Sequence, residues 1–160
     1  MSRLCIECGL CCSGALLGAF EVSDAERKKL EHSGIVFKPV GEWFRAPLPC
    51  AAWARSGCTV YDVRPEVCVK FRCALLKAVD AGSVAEAEAL ATVAQAHRLT
   101  AAVNEGLQAA FPGSGESREK QLRDAAATSE GRARHVQLLL DKAALEVHLQ
   151  RHFRETVPAK

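Results

Sequence analysis

The apolar positions of this 160-residue chain change rhythm partway along. From Ala74 onward the chain is rich in Ala and Leu, and its apolar residues fall at helical steps. Ala74 to Asp80 predicts a helix that stops at Gly82. Ser83, with Glu86 three positions on, has the form of a capping box, which opens a helix running to about Ala110. Phe111-Pro112-Gly113-Ser114-Gly115 is the strongest breaker in the chain. A third helical region is expected from about Glu116 to Thr156, interrupted near Ser129 to Gly131, with Val136, Leu139, Leu140, Ala143 and Val147 as its apolar stripe. Two long helices joined by a short loop pack as an antiparallel hairpin. About forty residues of helix span roughly 60 Å, more than one small domain covers, so part of the stripe bends back, projects or meets a second chain. The expectation is a homodimer formed through residues 130 to 155, with a protein partner as the other candidate.

The N-terminal half lacks such periodicity. Ser13 to Phe20 is small and apolar and fits either a short buried strand or a turn of helix. Ser23 and Glu26 form a capping box, predicting a helix from about Asp24 to His32 that ends at Gly34. Between Ile35 and Pro49, Val36, Phe37, Val40, Trp43 and Phe44 alternate with Gly and Pro, which predicts short strands or extended loops whose aromatics are core. Pro47 and Pro49 disfavour helix before Cys50. Ser56-Gly57 is a turn signal, Thr59 to Tyr61 is β-prone, and Pro65 suits the first turn of a helix carrying Cys68. The expected fold is mainly α. An irregular, cysteine-rich, metal-centred N-terminal half with little strand packs with a C-terminal helical hairpin, and the boundary divides residues 1–76 from 77–160.

The cysteines sharpen this picture. Cys5, Cys8, Cys11 and Cys12 lie within eight residues at C-x2-C-x2-C-C spacing, a turn that aims several sulfurs at one point and suits a soft metal. Gly9 follows the second of them, where the chain turns back and a positive φ is least strained without a Cβ. Cys50, Cys58, Cys68 and Cys73 complete the eight, and none follows position 73. Neighbouring residues of an extended chain point to opposite sides, so Cys11 and Cys12 more naturally reach two metals, or one ligates while the other packs. If Cys68 and Cys73 share a helix they lie about 140° apart, so either the helix breaks near Phe71 or they serve different metal positions. The two cysteine groups would then fold together around metal, which adds directly to stability.

Eight cysteines also allow four disulfides in 105 connectivities. That reading requires export, and the apolar run from Gly9 to Phe20 makes a poor signal: Arg3 is the only cation before it, Glu7 sits at its edge, and no small-x-small cleavage site is followed by a plausible mature start. A reduced, cytoplasmic protein is expected. No apolar run reaches the ~18 residues of a membrane span. The formal net charge of +2 and pI of about 8.1 are too near neutral to imply a nucleic-acid or membrane partner.

With Cys5-x2-Cys8-Gly9-x-Cys11-Cys12, then Cys58-x2-Tyr61-x2-Arg64-Pro65-x2-Cys68 and Phe71-x-Cys73, the chain resembles the bacterial YkgJ-type cysteine-cluster proteins, over roughly residues 4 to 76. These are described as zinc- or iron-chelating domains with eight characteristic cysteines. The resemblance implies metal chelation by all eight, with iron–sulfur character, since related segments are associated with [4Fe-4S] binding, one of them joined to protein-lysine methylation. The methylation activity does not carry over: no glycine-rich loop follows a strand here, and Gly113-Ser114-Gly115 lies between helices.

Eight thiolates carry about −8, whereas two Zn(II) ions, or one [4Fe-4S]2+ core with one Zn(II), carry about +4. Arg45, Arg55, Arg64, Lys70 and Arg72 are placed to offset the remainder, or are ordinary surface charges. Arg64 is the best placed, because Pro65 holds its backbone extended beside a helix start. Tyr61 either donates to a thiolate or carbonyl or packs in the core. His148 and His152 stand at chelating i, i+4 spacing but lack a third ligand, which favours a solvated helix face; His32, His97 and His135 have no partner pattern. No catalytic triad or acid/base pair is recognisable. Two classes of function follow. One is a metal-binding protein whose cluster serves a structural, carrier or electron-transfer role; the other is a metalloenzyme with an open coordination position and a pocket shaped by the helical half. Iron–sulfur is placed before zinc because eight thiolates exceed what one zinc needs.

Overall fold

In a computed structural model of the chain, residues 3–54 and 57–154 are described. They are mainly helical, with five short strands among the described residues, as the patterning predicts. The chain separates into two compact units, residues 1–90 and 91–160.

In the first unit, α1 (Arg3–Cys8) is followed by a run of turns and then β1 (Ala19–Val22); of the small apolar stretch Ser13 to Phe20, only Ala19 and Phe20 enter the strand, and the rest is turn and bend. Helix α2 (Asp24–Lys29) opens on the expected capping box: the Glu26 amide donates to Ser23 Oγ at 3.4 Å, and Ser23 N donates to Glu26 Oε2 at 2.9 Å. Its helical part is shorter than expected. Residues 30–34 run on as turns, ending at Gly34 with φ +75°. Strands β2 (Lys38–Val40) and β3 (Trp43–Pro47) join β1 in an antiparallel sheet of order β1-β3-β2, with Phe20 opposite Ala46 and Lys38 opposite Arg45. Phe20, Val22 and Ala46 form its core, against which Ile35, Phe37, Phe44, Leu48 and Cys50 pack. The edge of Phe37 meets Phe20 at a centroid distance of 6.2 Å. Trp43, an aromatic expected in the core, is exposed, as are Val36 and Val40; the three-stranded sheet buries only one face, and its edge strand β2 is wholly exposed.

A two-residue ribbon follows, β4 (Trp53–Ala54) with β5 (Gly57–Cys58). The β-prone stretch Thr59 to Tyr61 does not extend it, since Tyr61–Val63 winds into a 3-10 turn. Helix α3 (Glu66–Lys70) carries Cys68 and ends where Phe71 turns extended, at φ −65° and ψ 123°. Cys73 then caps α4 (Ala74–Asp80), and Gly82, at φ +70°, stops it. The expected capping box at Ser83 is absent. Ser83 Oγ turns back to donate to the Ala78 carbonyl at 3.0 Å, and α5 (Glu86–Ala110) starts three residues later.

The second unit holds most of α5, then α6 (Arg118–Ala126), α7 (Ser129–Arg134) and α8 (Val136–His152). The breaker at Phe111–Gly115 acts as expected, and the region after it, expected to be interrupted near Ser129 to Gly131, is three helices with breaks at residues 127–128 and at His135. Thr128 caps α7 by accepting from the Gly131 amide at 2.9 Å, and His135 separates α7 from α8. α5 and α8 are antiparallel. A Cβ built on Gly106 would lie 3.1 Å from Leu138, and the His148 ring bonds the Thr92 carbonyl at 3.0 Å. The hairpin is therefore indirect, with α6 and α7 between its arms. Leu138, Leu145, Leu149 and Phe153 form the buried face of α8, not the expected stripe: Val136, Leu140 and Val147 are 54%, 58% and 66% exposed.

Candidate metal centre

The knuckle is a short helix followed by a turn. Cys5 and Cys8 stand one helical turn apart on α1, so they share a face. Gly9 then takes φ +57°, as its position predicted, and the amides of Ser13, Ala15 and Leu16 bond back to the carbonyls of Gly9 and Leu10. Leu4 and Leu10, 3% and 1% exposed, anchor the two ends of this segment. The Gly14 amide donates to the Cys11 carbonyl at 3.2 Å, closing the turn that carries Cys11 and Cys12.

The later cysteines are tied to the knuckle through backbone contacts. The Cys50 amide donates to the Cys12 carbonyl at 2.8 Å, and the Trp53 amide to the Cys50 carbonyl at 3.0 Å. Trp53 pairs with Cys58 across the β4–β5 ribbon, which Thr59 locks by donating to the Ala52 carbonyl through its amide at 2.8 Å and its hydroxyl at 3.0 Å. The ribbon lies against α1: a Cβ on Gly57 would sit 3.7 Å from Ile6, and one on Gly9 would sit 2.6 Å from the Trp53 ring. Sequence reading assigned Trp53 no role, since nothing in its neighbourhood announces that its indole lies over Gly9.

Helix α3 is positioned by Glu26. One carboxylate oxygen of Glu26 caps α2, and the other accepts from the Glu66 amide at 2.7 Å at the start of α3. Those two backbone bonds, Glu66 first, hold its carboxyl below the usual range. This link between α2 and the helix of Cys68 joins residues forty apart.

All eight thiols are free. Burial is the leading cause of the upward shift at Cys5, Cys8, Cys11, Cys12, Cys50 and Cys68, and neighbouring thiols add to it. Cys8 is pushed up to about 12 by burial despite a hydrogen bond from the Leu10 amide, with Cys73, Cys5 and Cys12 adding to the rise. Burial, then Cys50, Cys58 and Cys5, lift Cys12 to about 11, while Arg64 opposes them. Cys5 and Cys68 are exposed residues, yet the surroundings of their sulfurs are crowded enough for desolvation to lead.

Of the candidate cations, Arg64 acts on the thiols of Cys5, Cys12 and Cys68. Its Nε donates to the Tyr61 carbonyl at 2.9 Å, and its guanidinium lies 3.4 Å from the Tyr61 ring centroid. Tyr61 thus serves the centre by seating Arg64. Arg72 also acts on Cys5 while pairing with Asp80. Arg45 pairs with Glu21 at 2.6 Å, and Lys70 pairs with Glu66. Arg55 lies outside the described residues. His148 and His152, expected on a solvated helix face, are half-buried, their rings tilted at 48° with centroids 4.7 Å apart, and the His148 ring bonds the Thr92 carbonyl at 3.0 Å.

Among the described residues, no three Cys, His, Asp or Glu side chains already converge to hold an ion. The donor set nevertheless fits a soft metal: eight unpaired sulfurs, drawn from both cysteine segments, crowd one another in partly desolvated surroundings. A cleft beside α3, lined by Glu21, Glu26, Trp43, Glu66, Val67, Lys70 and Phe71, has no cysteine in its wall.

Fold and site together define a cysteine-rich metal-chelating protein. The chain belongs to the CxxCxxCC family, whose description reads "putative zinc- or iron-chelating domain", and the match covers residues 4–97, from the knuckle through α4 and into α5. No curated protein and no solved structure is significantly similar to the chain. Among the described residues no helix is long and apolar enough to cross a membrane.

Proposed function

We propose that the chain is a metal-binding protein in which Cys5, Cys8, Cys11, Cys12, Cys50, Cys58, Cys68 and Cys73 hold an iron–sulfur cluster or zinc, in a structural, carrier or electron-transfer role. The observation that carries this reading is the mutual crowding of free thiols from two segments that are far apart in sequence. Unpaired thiols at that density repel one another once ionised, and a bound cation removes the repulsion. An iron–sulfur cluster would supply one-electron chemistry, and zinc a redox-inert cross-link. The chain's own contribution is to fix the backbones: Gly9 turns the knuckle, the Cys50 amide bonds the Cys12 carbonyl, Glu26 seats α3, and Arg64 offsets thiolate charge. Binding would complete the convergence of the sulfurs and thereby add to folding stability. Free thiols suit a reducing compartment, so we place the protein in the cytoplasm.

Anaerobic purification followed by metal, labile-sulfide and free-thiol analysis tests this reading. Stoichiometric metal with most thiols protected is expected. Iron with labile sulfide identifies a cluster, and zinc without sulfide a zinc centre. A folded, metal-free chain with eight reactive thiols overturns the proposal.

A further inference from the structure

We propose that Trp53 is a positioning residue of the metal centre: its indole clamps the knuckle turn against the β4–β5 ribbon and so sets how tightly metal is held. The proposal rests on the metal-binding reading above and adds to it a residue that supplies no ligand atom.

Three cysteine-bearing pieces of chain meet at Trp53. Its side chain meets the knuckle, where indole atoms Cζ2, Cε2 and Nε1 lie 2.6, 2.7 and 2.7 Å from the place a Cβ on Gly9 would take. Gly9 directly follows Cys8 and begins the turn that carries Cys11 and Cys12. Its amide donates to the Cys50 carbonyl at 3.0 Å, and across the ribbon it pairs with Cys58.

The indole is held from its own side of this contact. Ala52, the residue before it, is 1% exposed, and its carbonyl accepts from both the amide and the hydroxyl of Thr59. With the backbone fixed there, a flat ring covers the bare α-carbon of Gly9 over a wide area, which a branched aliphatic chain is too thick to do. The knuckle is thereby attached at two points. At the far end of the turn the Cys12 carbonyl accepts from the Cys50 amide at 2.8 Å, and at the near end the indole lies on Gly9. One attachment leaves a turn free to pivot, whereas two fix its orientation, and sulfurs held in orientation before metal arrives lose less freedom on binding it.

The test uses the full chain, reduced, stripped and reloaded anaerobically with Zn(II), with affinity measured by competition against a chelator. Trp53→Ala should hold Zn(II) about 10–100-fold more weakly than wild type, the usual loss when a residue supporting metal ligands is removed. Trp53→Phe keeps a flat ring over Gly9 and should recover most of that loss. The chain has two tryptophans, so Trp43→Phe leaves Trp53 as the sole emitter and Trp53→Phe leaves Trp43, which is 52% exposed beside a cleft without cysteine in its wall. Loading with Zn(II) should change the Trp53 emission and leave that of Trp43 as it was. A folded Trp53→Ala chain that binds Zn(II) as tightly as wild type overturns the proposal, and so does a Trp53→Phe chain as weak as Trp53→Ala. Should Trp53→Ala not fold, the emission of the Trp43→Phe chain decides: a change on loading upholds the proposal, and no change, or an equal change at Trp43, overturns it. A wild-type chain that binds no metal fails the metal-binding reading itself, whereas one that binds metal indifferently to Trp53 fails only this proposal.

Discussion

The indole of Trp53 lies over the α-carbon of Gly9 so closely that a Cβ at that position would fall 2.6 Å from ring atom Cζ2. Gly9 also sits at φ +57°, where an L side chain is strained. Two independent constraints thus act on one residue at the heart of the knuckle. Gly9→Ala should cost about 1–2 kcal/mol from the backbone alone, with a further loss as Trp53 shifts and disturbs the β4–β5 ribbon carrying Cys58. Thermal unfolding should show the destabilisation, and metal analysis a reduced content. A Gly9→Ala chain with unchanged melting temperature and full metal would contradict this geometry.

Glu26 joins α2 to α3 through both carboxylate oxygens, and its folded pKa is lowered by the Glu66 and Ser23 amides. A carboxyl with a lowered folded pKa stabilises the fold above its ordinary value, about 4.3, and loses that contribution as pH falls through the lowered one. Glu26→Ala removes two solvent-accessible backbone hydrogen bonds and should cost about 1 kcal/mol near neutrality. The difference from wild type should shrink in acid, as denaturant unfolding at a series of pH values would reveal.

Metal should invert the response of the chain to alkali. In the metal-free chain, burial raises the thiols of Cys8 and Cys12 to about 12 and about 11, so folding favours their protonated forms. That contribution is intact below the ordinary thiol pKa of about 8.5 and is lost as pH rises through the raised values. Metal requires thiolates and displaces their protons, so the loaded chain should be weakened by acid instead. Melting curves of both forms between neutral and alkaline pH, with metal release followed into acid, would check both signs.

The exposed stripe of Val136, Leu140, Ala143 and Val147 runs along α8, opposite to its buried face. From Val136 to Val147 the helix rises about 16 Å along its axis, enough for the same stripe on a second copy to meet it about a two-fold axis. A homodimer through residues 130 to 155 is therefore expected, and light scattering at micromolar concentration should detect it. Leu139 and Leu140 changed together to polar residues should yield a monomer of unaltered metal content. A wild-type chain that is already monomeric would end this proposal.

By itself the chain determined which chemistry is available and where helices can begin and end. Eight cysteines at their spacings, Gly9 after the second of them, the Ser23–Glu26 capping box, Pro65 before α3 and the Phe111–Gly115 breaker all act within a few residues of their own position, so their consequences are legible in order along the chain. Tertiary structure decided everything that depends on who arrives from elsewhere. Ser83 looked like a cap but found the Ala78 carbonyl nearer, and Glu26 served a second helix forty residues away. The apolar residues of α8 exceed what one face can bury, and periodicity cannot say which set is chosen; in the fold Leu138, which faces Gly106 of α5, is buried together with Leu145 and Leu149. The Cys12–Cys50 backbone bond likewise joins two cysteines far apart in sequence, which no local spacing announces.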